Sequence, residues 1–536
     1  MRQKSSSLDQ LREAFVSRRI ADGYSLLAQV LRRTRQRDGN EPVSTSLLLQ
    51  IALWVDIGYS DDGVLDELQL RFTPSFRRRM SLPSYVELRL VEAWKAMSHE
   101  DEDVAIRLLE FVLTAQEEFS DPEASLFAHY FKARAHRKKG EYERAFEDTL
   151  EARRRAQELK LPKFGAVIQV QEAWLLFQKG KTKDAIRAFA EAEQQLKSTD
   201  DHLSLANIES ARGRIVRRSR EYHQALKHYE NAIALYRAHY PQHRNLARTL
   251  VNAAYVKRLL ALQLRKRIDT KAADSTRKQV PNDGSHHVRY LRICQEALND
   301  LEQAGEIYAQ HDHDSGTGSV LVNAGYLHLD RGNIDRAAME SLKAYELAHR
   351  KNDHILMARA RILESAVENI RVDEQFGEEG DLALHADAAK VYAEEAVALA
   401  TQTQNRRLLA GAWIARGVAA ANDVFQDWEE ARQCAARASA LLSSEDRDHL
   451  WEDLLTLKAR ILRASGVDET LRAWSEGMIG DKTFQQVQEE FAELVIPKVW
   501  EREGKNISRV VERLSVSPKK IRRILRNTGL LGNNED

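Results

Sequence analysis

Two alanines seven residues apart recur along this chain: Ala145/Ala152, Ala185/Ala192, Ala225/Ala232, Ala297/Ala304, Ala337/Ala344, Ala389/Ala396 and Ala431/Ala438. Seven residues is two helical turns, so each pair lies on one face, and a small side chain at both turns lets a neighbouring helix approach closely. The first Ala of successive pairs falls 40, 40, 72, 40, 52 and 42 residues after the last. A generic bundle of Ala-rich helices gives no reason for such a beat, whereas stacked helical units require one. The 72 and 52 mark polar insertions around Ile268–His287 and Arg371–Leu384. Ala105 lies 40 before Ala145, with Val112 seven further on, so the array is expected to start near Pro83 and to run to about Gly466. The fold class is all-α, a solenoid. Residues 1–82 also read as helices, for example Ser44–Ile57, but without the beat; degenerate first repeats and a small cap both fit.

Composition agrees. The chain has 536 residues, 30% of them charged, with only 9 Pro and 24 Gly, which favours long helices over strands. Lys+Arg and Asp+Glu both number 81, so any nucleic-acid surface must be local rather than global. Two cysteines, Cys294 and Cys434, build neither a disulfide framework nor a four-Cys metal site; they read as core filling in a reducing cytoplasm. The opening MRQKSSSLDQLREAF lacks an apolar leader, and no run approaches membrane-span length, so neither a leader nor a membrane partner is expected.

The repeated phrase resembles the tetratricopeptide family. Its turn pattern of Gly, aromatic and Ala is present as Gly140, Tyr142 and Ala145, and Gly213 and Gly325 stand at the small-residue position of a first helix. The resemblance covers about Pro83–Gly466, with a period longer than the family's usual one. It implies a concave groove lined by first helices and suited to a peptide or a partner protein. Two first helices share a phrase, Leu250-Val-Asn-Ala-Ala-Tyr255 and Leu321-Val-Asn-Ala-Gly-Tyr326. In the repeat register Asn252 and Asn323 face the groove, Tyr255 and Tyr326 lie beside them, and Arg361 holds a similar place in the following unit. Asn amides pair with any peptide backbone, and similarity to cytosolic peptide-pheromone receptors of tetratricopeptide type suggests that use. Satisfaction of helix–helix hydrogen bonds is the alternative for the same side chains.

Composition shifts after Gly466. A connection at 467–483 leads to a last domain at 484–536, with Phe484, Val487, Phe491, Leu494 and Val499 at helical spacing. A helix is predicted over Ile507–Leu514, then a tight turn, with Ser517 as N-cap and Pro518 at the first position of a second helix reaching about Asn527; Gly529 supplies the stop. That second helix carries Lys519, Lys520, Arg522, Arg523 and Arg526 without an acid, and Ile521, Ile524 and Leu525 form its apolar face. Across 498–531 ten basic residues oppose three acidic ones, the local footprint of a DNA reader.

This stretch resembles the Fis-type helix-turn-helix, the module that also ends NtrC-like bacterial activators. The family pattern is met at Asn506, Ser508, Arg509, Leu514, Ser517, Ile521, Arg523, Leu525 and Gly529. The chain departs from it at Val510 and Val511, Ser515, Pro518 and Lys520, and Pro497 is expected to kink or restart the preceding helix. The resemblance implies that Ser517, Lys520, Arg522 and Arg523 face the major groove while Asn506, Ser508, Arg509 and Arg526 hold phosphates. A lone short module should bind weakly, so a homodimer on half-sites about one DNA turn apart is expected.

Enzyme signals are poor. Gly180-Lys181-Thr182 imitates the end of a phosphate loop, but Leu175 stands where its first Gly belongs. His311–Asp314, and His286 with His287, read as solvated loops. No catalytic residue, metal or cofactor is expected. The sequence therefore predicts a bacterial-type, cytoplasmic DNA-binding transcriptional regulator whose repeats sense a peptide or protein. The alternative is a tetratricopeptide scaffold or adaptor with a basic C-terminal docking module.

Overall fold

The computed structural model describes residues 6–35, 42–61, 63–115, 121–278, 284–374, 379–443, 446–464, 474, 477, 479–528 and 530–531. Among them are 25 helices and no strand, and the chain divides into two units, Met1–Leu457 and Lys458–Asp536. The division falls inside a helix, a little before the boundary expected at Gly466. Most of the 467–483 connection and the stop expected at Gly529 lie outside the described residues.

The first unit opens with α1 (Ser7–Val16), α2 (Ile20–Arg35), α3 (Thr45–Asp56), α4 (Val64–Leu70) and α5 (Pro74–Arg77). Antiparallel pairs follow: α6 and α7 (Leu82–Ser98, Glu102–Ala115), α8 and α9 (Pro122–Lys139, Tyr142–Glu158), α10 and α11 (Pro162–Gln178, Thr182–Leu196). Next come α12 and α13 (His202–Arg218, Tyr222–His239), then α14 and α15 (Arg244–Lys278, Gly284–Gln310). The array continues with α16 and α17 (Asp314–Asp330, Ile334–Arg350), α18 and α19 (His354–Asp373, Glu379–Thr401), and α20 and α21 (Arg406–Ala420, Trp428–Leu441), before α22 (His449–Ala464). This is a tetratricopeptide-like α-solenoid. Every alanine of the seven pairs is fully buried, as are Ala105 and Val112, so the beat marks the faces on which helices meet. Gly213 and Gly325 serve the same packing: a Cβ there would meet the Tyr229 ring at 2.7 Å and Leu363 at 2.7 Å. The first insertion lengthens both helices of its pair, since α14 runs to Lys278 and α15 starts at Gly284. His286 and His287 are therefore helical rather than in a loop.

The solenoid returns to itself after one superhelical turn. Lys351 donates to the His99 carbonyl (2.9 Å), Ser315 N–H to the Glu100 carboxylate (3.1 Å), and Gln404 N–H to the Gly140 carbonyl (2.9 Å). The first helix packs against the repeat helices. Phe15 of α1 packs on Phe127 and Phe164 of two first helices, at 6.1 and 5.6 Å between centroids. Behind it Arg18, with a left-handed φ of 56°, reaches Asp201 at the N-terminus of α12, Nε to Oδ2 2.7 Å, both side chains at most 1% exposed. Asp200 beside it accepts from the N–H groups of Ile20 and Ala21 at 2.7 and 2.8 Å.

The second unit holds α23 (Phe484–Arg502), α24 (Ile507–Leu514) and α25 (Pro518–Asn527). Pro497 sits inside α23 without ending it, so the expected restart does not occur. No helix among the described residues is long and apolar enough to cross a membrane.

The buried Arg18–Asp201 pair generates a test. Burial opposes the charge on Asp201, yet Arg18 and bonds from Ser204 hold its carboxyl below the ordinary 3.8. Its stabilisation is thus complete above about pH 5 and is lost as pH falls through the lower folded value. Asp201→Asn leaves the Arg18 charge buried and is expected to cost about 3–5 kcal/mol, measured by denaturant unfolding at pH 7. The same variant should lose less stability than the parent on acidification.

Candidate functional site

First helices α8, α10, α12 and α14 wall a cavity of about 440 Å³ in the first unit, bordered on one side by Phe15 of α1 and by Arg18 just after it. Seven cations line it, Arg18, Arg134, Arg137, Lys138, Arg214, Arg244 and Arg248, against the carboxylates of Asp56 and Glu102. Three of the cations are neutralised. Arg18 pairs with Asp201, Arg134 makes a fork onto Asp56 at 2.6 and 2.9 Å, and Lys138 binds Glu100 and Glu102 at 2.9 and 2.7 Å. The other four have no carboxylate in ion-pair reach among the described residues. Arg244 reaches only the Ser98 carbonyl (3.4 Å) and Arg248 the Asn207 side-chain oxygen (3.2 Å). The Nε atoms of Arg214 and Arg248 are buried without a hydrogen-bond partner.

Trp174 stands among these charges, its ring centroid 5.2 Å from the Arg137 guanidinium and 6.0 Å from that of Arg214. Burial, then Arg248 and Arg134, push Arg137 down to about 9, and burial with Arg248 brings Arg214 to about 10. Both stay cationic at neutral pH, so like charges face each other where water screens them poorly. His243 is pushed by burial and by Arg244 down to about 3 and is neutral. His313, expected in a solvated loop, instead caps α16, its Nδ1 accepting from Gly316 N–H at 2.9 Å, and lines the cavity.

The groove residues read from sequence lie further along the inner face. Asn252 and Asn323 each spend an amide N–H on their own helix, donating to the Arg248 and Ser319 carbonyls at 2.8 and 2.7 Å, and Asn323 is only 5% exposed. Tyr255 lies under Arg217 (4.8 Å) and Tyr326 under Arg258 (4.6 Å). Arg361 covers Tyr345 at 3.6 Å and binds Glu364 and Glu395 at 2.7 and 2.6 Å. The Cys pair is buried and unpaired, and the described residues hold no metal-binding cluster.

In the second unit Ile496, Trp500, Val510, Ile521, Ile524 and Leu525 form a small core under α24 and α25. Asn506 caps α24, its side chain accepting from Arg509 N–H at 3.2 Å, and Ser517 caps α25 through Lys520 N–H at 3.3 Å. Ser515, where a glycine is usual, takes the left-handed conformation (φ 50°) that ends α24. Outside the core, Ser508, Arg509, Lys519, Arg523 and Arg526 are exposed while Lys520 and Arg522 are half-buried. Glu489 of α23 accepts from Arg523 and lies 3.2 Å from the Lys520 ammonium; the two cations hold its carboxyl below the ordinary range.

No family model matches the chain, and no curated protein matches it in sequence. Among solved structures it is similar to a monomeric mutant of IFIT1 with Gppp-AAAA, at TM-score 0.47 and 12% identity over 87% of this chain and 92% of that one. A Rap protein complexed with Competence and Sporulation Factor gives 0.36 and 10% over 84% and 98%. The apo quorum sensor NprR from B. thuringiensis gives 0.37 and 14% over 82% and 98%. At such scores these likenesses say nothing of what this chain binds, and the fold stands on its own helix pairs.

The sequence reading missed the cavity. A signal was present: Arg134, Trp174 and Arg214 follow one another on the 40-residue beat, which stacks a basic–aromatic–basic column along the inner face. Because its charges repel one another, Arg137→Gln is expected to stabilise the protein by about 0.5–2 kcal/mol, a trade seen where function holds a strained site. Thermal unfolding without added anions checks this; a lowered midpoint would make Arg137 an architectural residue.

Proposed function

We propose that the chain is a DNA-binding transcriptional regulator in which the second unit reads DNA and the repeat array senses a partner. The carrying observation is the pair α24 and α25. Its apolar residues are spent on the unit's own core, and its second helix turns Lys519, Arg523 and Arg526 to solvent. Two short helices joined by a tight left-handed turn, the second basic and N-capped by Ser517, have the form of a helix-turn-helix. In this reading Ser517, Lys520, Arg522 and Arg523 meet base edges, where a guanidinium suits guanine O6 and N7, and Asn506, Ser508, Arg509 and Arg526 hold phosphates. A module this short binds weakly alone, so the reading includes a homodimer on two-fold half-sites. The array's partner is a peptide or protein laid along Tyr255, Tyr326 and Arg361, since the Asn252 and Asn323 amides are engaged within their own helices. The proposal assigns the chain no catalysis.

A second reading, a scaffold whose basic module docks on an acidic protein, has one observation in its favour: Lys520 and Arg523 already hold a carboxylate, that of Glu489. Selection of duplex fragments from a random library by the full-length protein distinguishes the two, with recovery of a palindromic motif expected for a regulator and no recovery for a scaffold. Arg522→Ala with Arg523→Ala should abolish preference for that motif. Arg526→Ala should weaken motif and random DNA alike, and Glu489→Gln should strengthen both modestly by freeing two cations. Equal losses on both DNAs in the first two variants would contradict the assigned roles.

A further inference from the structure

We propose that the cavity walled by α8, α10, α12 and α14 is a binding site for a compact polyphosphate group, gripped by Arg137, Arg214, Arg244 and Arg248. This goes beyond the reading above and stands whether or not the second unit binds DNA.

Cations outnumber carboxylates seven to two along the wall of this cavity. Cations that hold the architecture together in this cavity come with carboxylates: Arg18 with Asp201, Arg134 with Asp56, Lys138 with Glu100 and Glu102. The four proposed ligands have none within ion-pair reach among the described residues, although Arg244 lies in the field of Asp56 and Glu100, carboxylates already held by Arg134 and Lys138. They converge from three first helices, α8, α12 and α14, onto one space, and the buried Nε atoms of Arg214 and Arg248 have no hydrogen-bond partner among the described residues. A buried, unpaired guanidinium is costly unless a counter-charge completes it. The missing partner is therefore an anion that none of the described residues supplies.

The number and density of the charges select its class. Four unpaired positive charges around a cavity of about 440 Å³ call for several negative charges on a small body. One peptide carboxylate brings a single charge, and an acidic peptide spreads its charges over one bulky residue each. A chain of phosphates concentrates them and offers planar pairs of oxygens that match the guanidinium fork. Neutral groups complete the wall: Asn207 and Asn245, joined at 3.0 Å, and the indole of Trp174. These suit a planar hydrogen-bonding body such as a nucleobase, so inorganic polyphosphate and a nucleoside polyphosphate share the chemistry required.

Isothermal titration of the full-length protein with sodium tripolyphosphate, a nucleoside triphosphate and tetraglutamate tests this at physiological salt. Saturable 1:1 binding of tripolyphosphate is expected, weakened at least tenfold in Arg137→Gln and in Arg214→Gln. Both variants should unfold no earlier than the parent, so that loss of binding is not loss of fold. Arg522→Ala with Arg523→Ala should leave the affinity unchanged, which separates this site from the basic helix of the second unit. Tighter binding of the nucleoside triphosphate than of tripolyphosphate would assign the base a place in the site, and equal binding would assign phosphate recognition alone; both support the proposal. No saturable binding of either phosphate, unchanged affinity in the two cavity variants, or tighter binding of tetraglutamate would overturn it.

Discussion

Close approach of helix backbones at alanine governs everything else in the first unit. Where methyl groups stand two turns apart with no exposed surface, the next helix settles against them, and a larger side chain would force the pair open. Repeated on a 40-residue beat, that contact fixes a small constant rotation per unit. The rotation accumulates until Gly140 meets Gln404 and His99 meets Lys351. A solenoid with looser packing would remain an open arc; this one surrounds a cavity that Phe15 and Arg18 border on one side.

Enclosure changes what an arginine does. On α25 a guanidinium faces water, its interactions are screened within about 10 Å at 0.1 M salt, and its pairing with Glu489 exchanges readily for another anion. In the cavity the same group is desolvated and faces other arginines, so its charge is stored rather than dissipated. The chain thus carries two electropositive surfaces of different character within a formally neutral whole, one exposed and helical, the other enclosed.

Much of this was legible in the sequence because helical periodicity and repeat periodicity are both local in sequence. The alanine pairs located the buried face of each second helix, Gly213 and Gly325 marked close approaches, and Ser517-Pro518 marked the start of α25. The departure at Ser515 was visible as a missing glycine and proved to be a left-handed serine. What escaped depends on superhelical closure. Arg137 of α8 and Arg244 and Arg248 of α14 are ordinary surface-like residues of two separate helices until the turn of the solenoid brings them to one cavity. Whether a cation finds a carboxylate is likewise a three-dimensional fact: Arg134 and Arg137 are three residues apart, yet only the first meets Asp56. His313 read as a solvated loop residue for the same reason, since the turn that carries it folds inward.

In the proposed function, DNA is read by the second unit alone. Hydrogen–deuterium exchange of the full-length protein with and without duplex DNA tests it most directly, because it reports each helix separately. The account predicts slowed exchange across Asn506–Asn527, with the first helices around Trp174 unchanged. Protection that falls on α8, α10, α12 and α14 instead, with α24 and α25 exchanging as in the free protein, would contradict it.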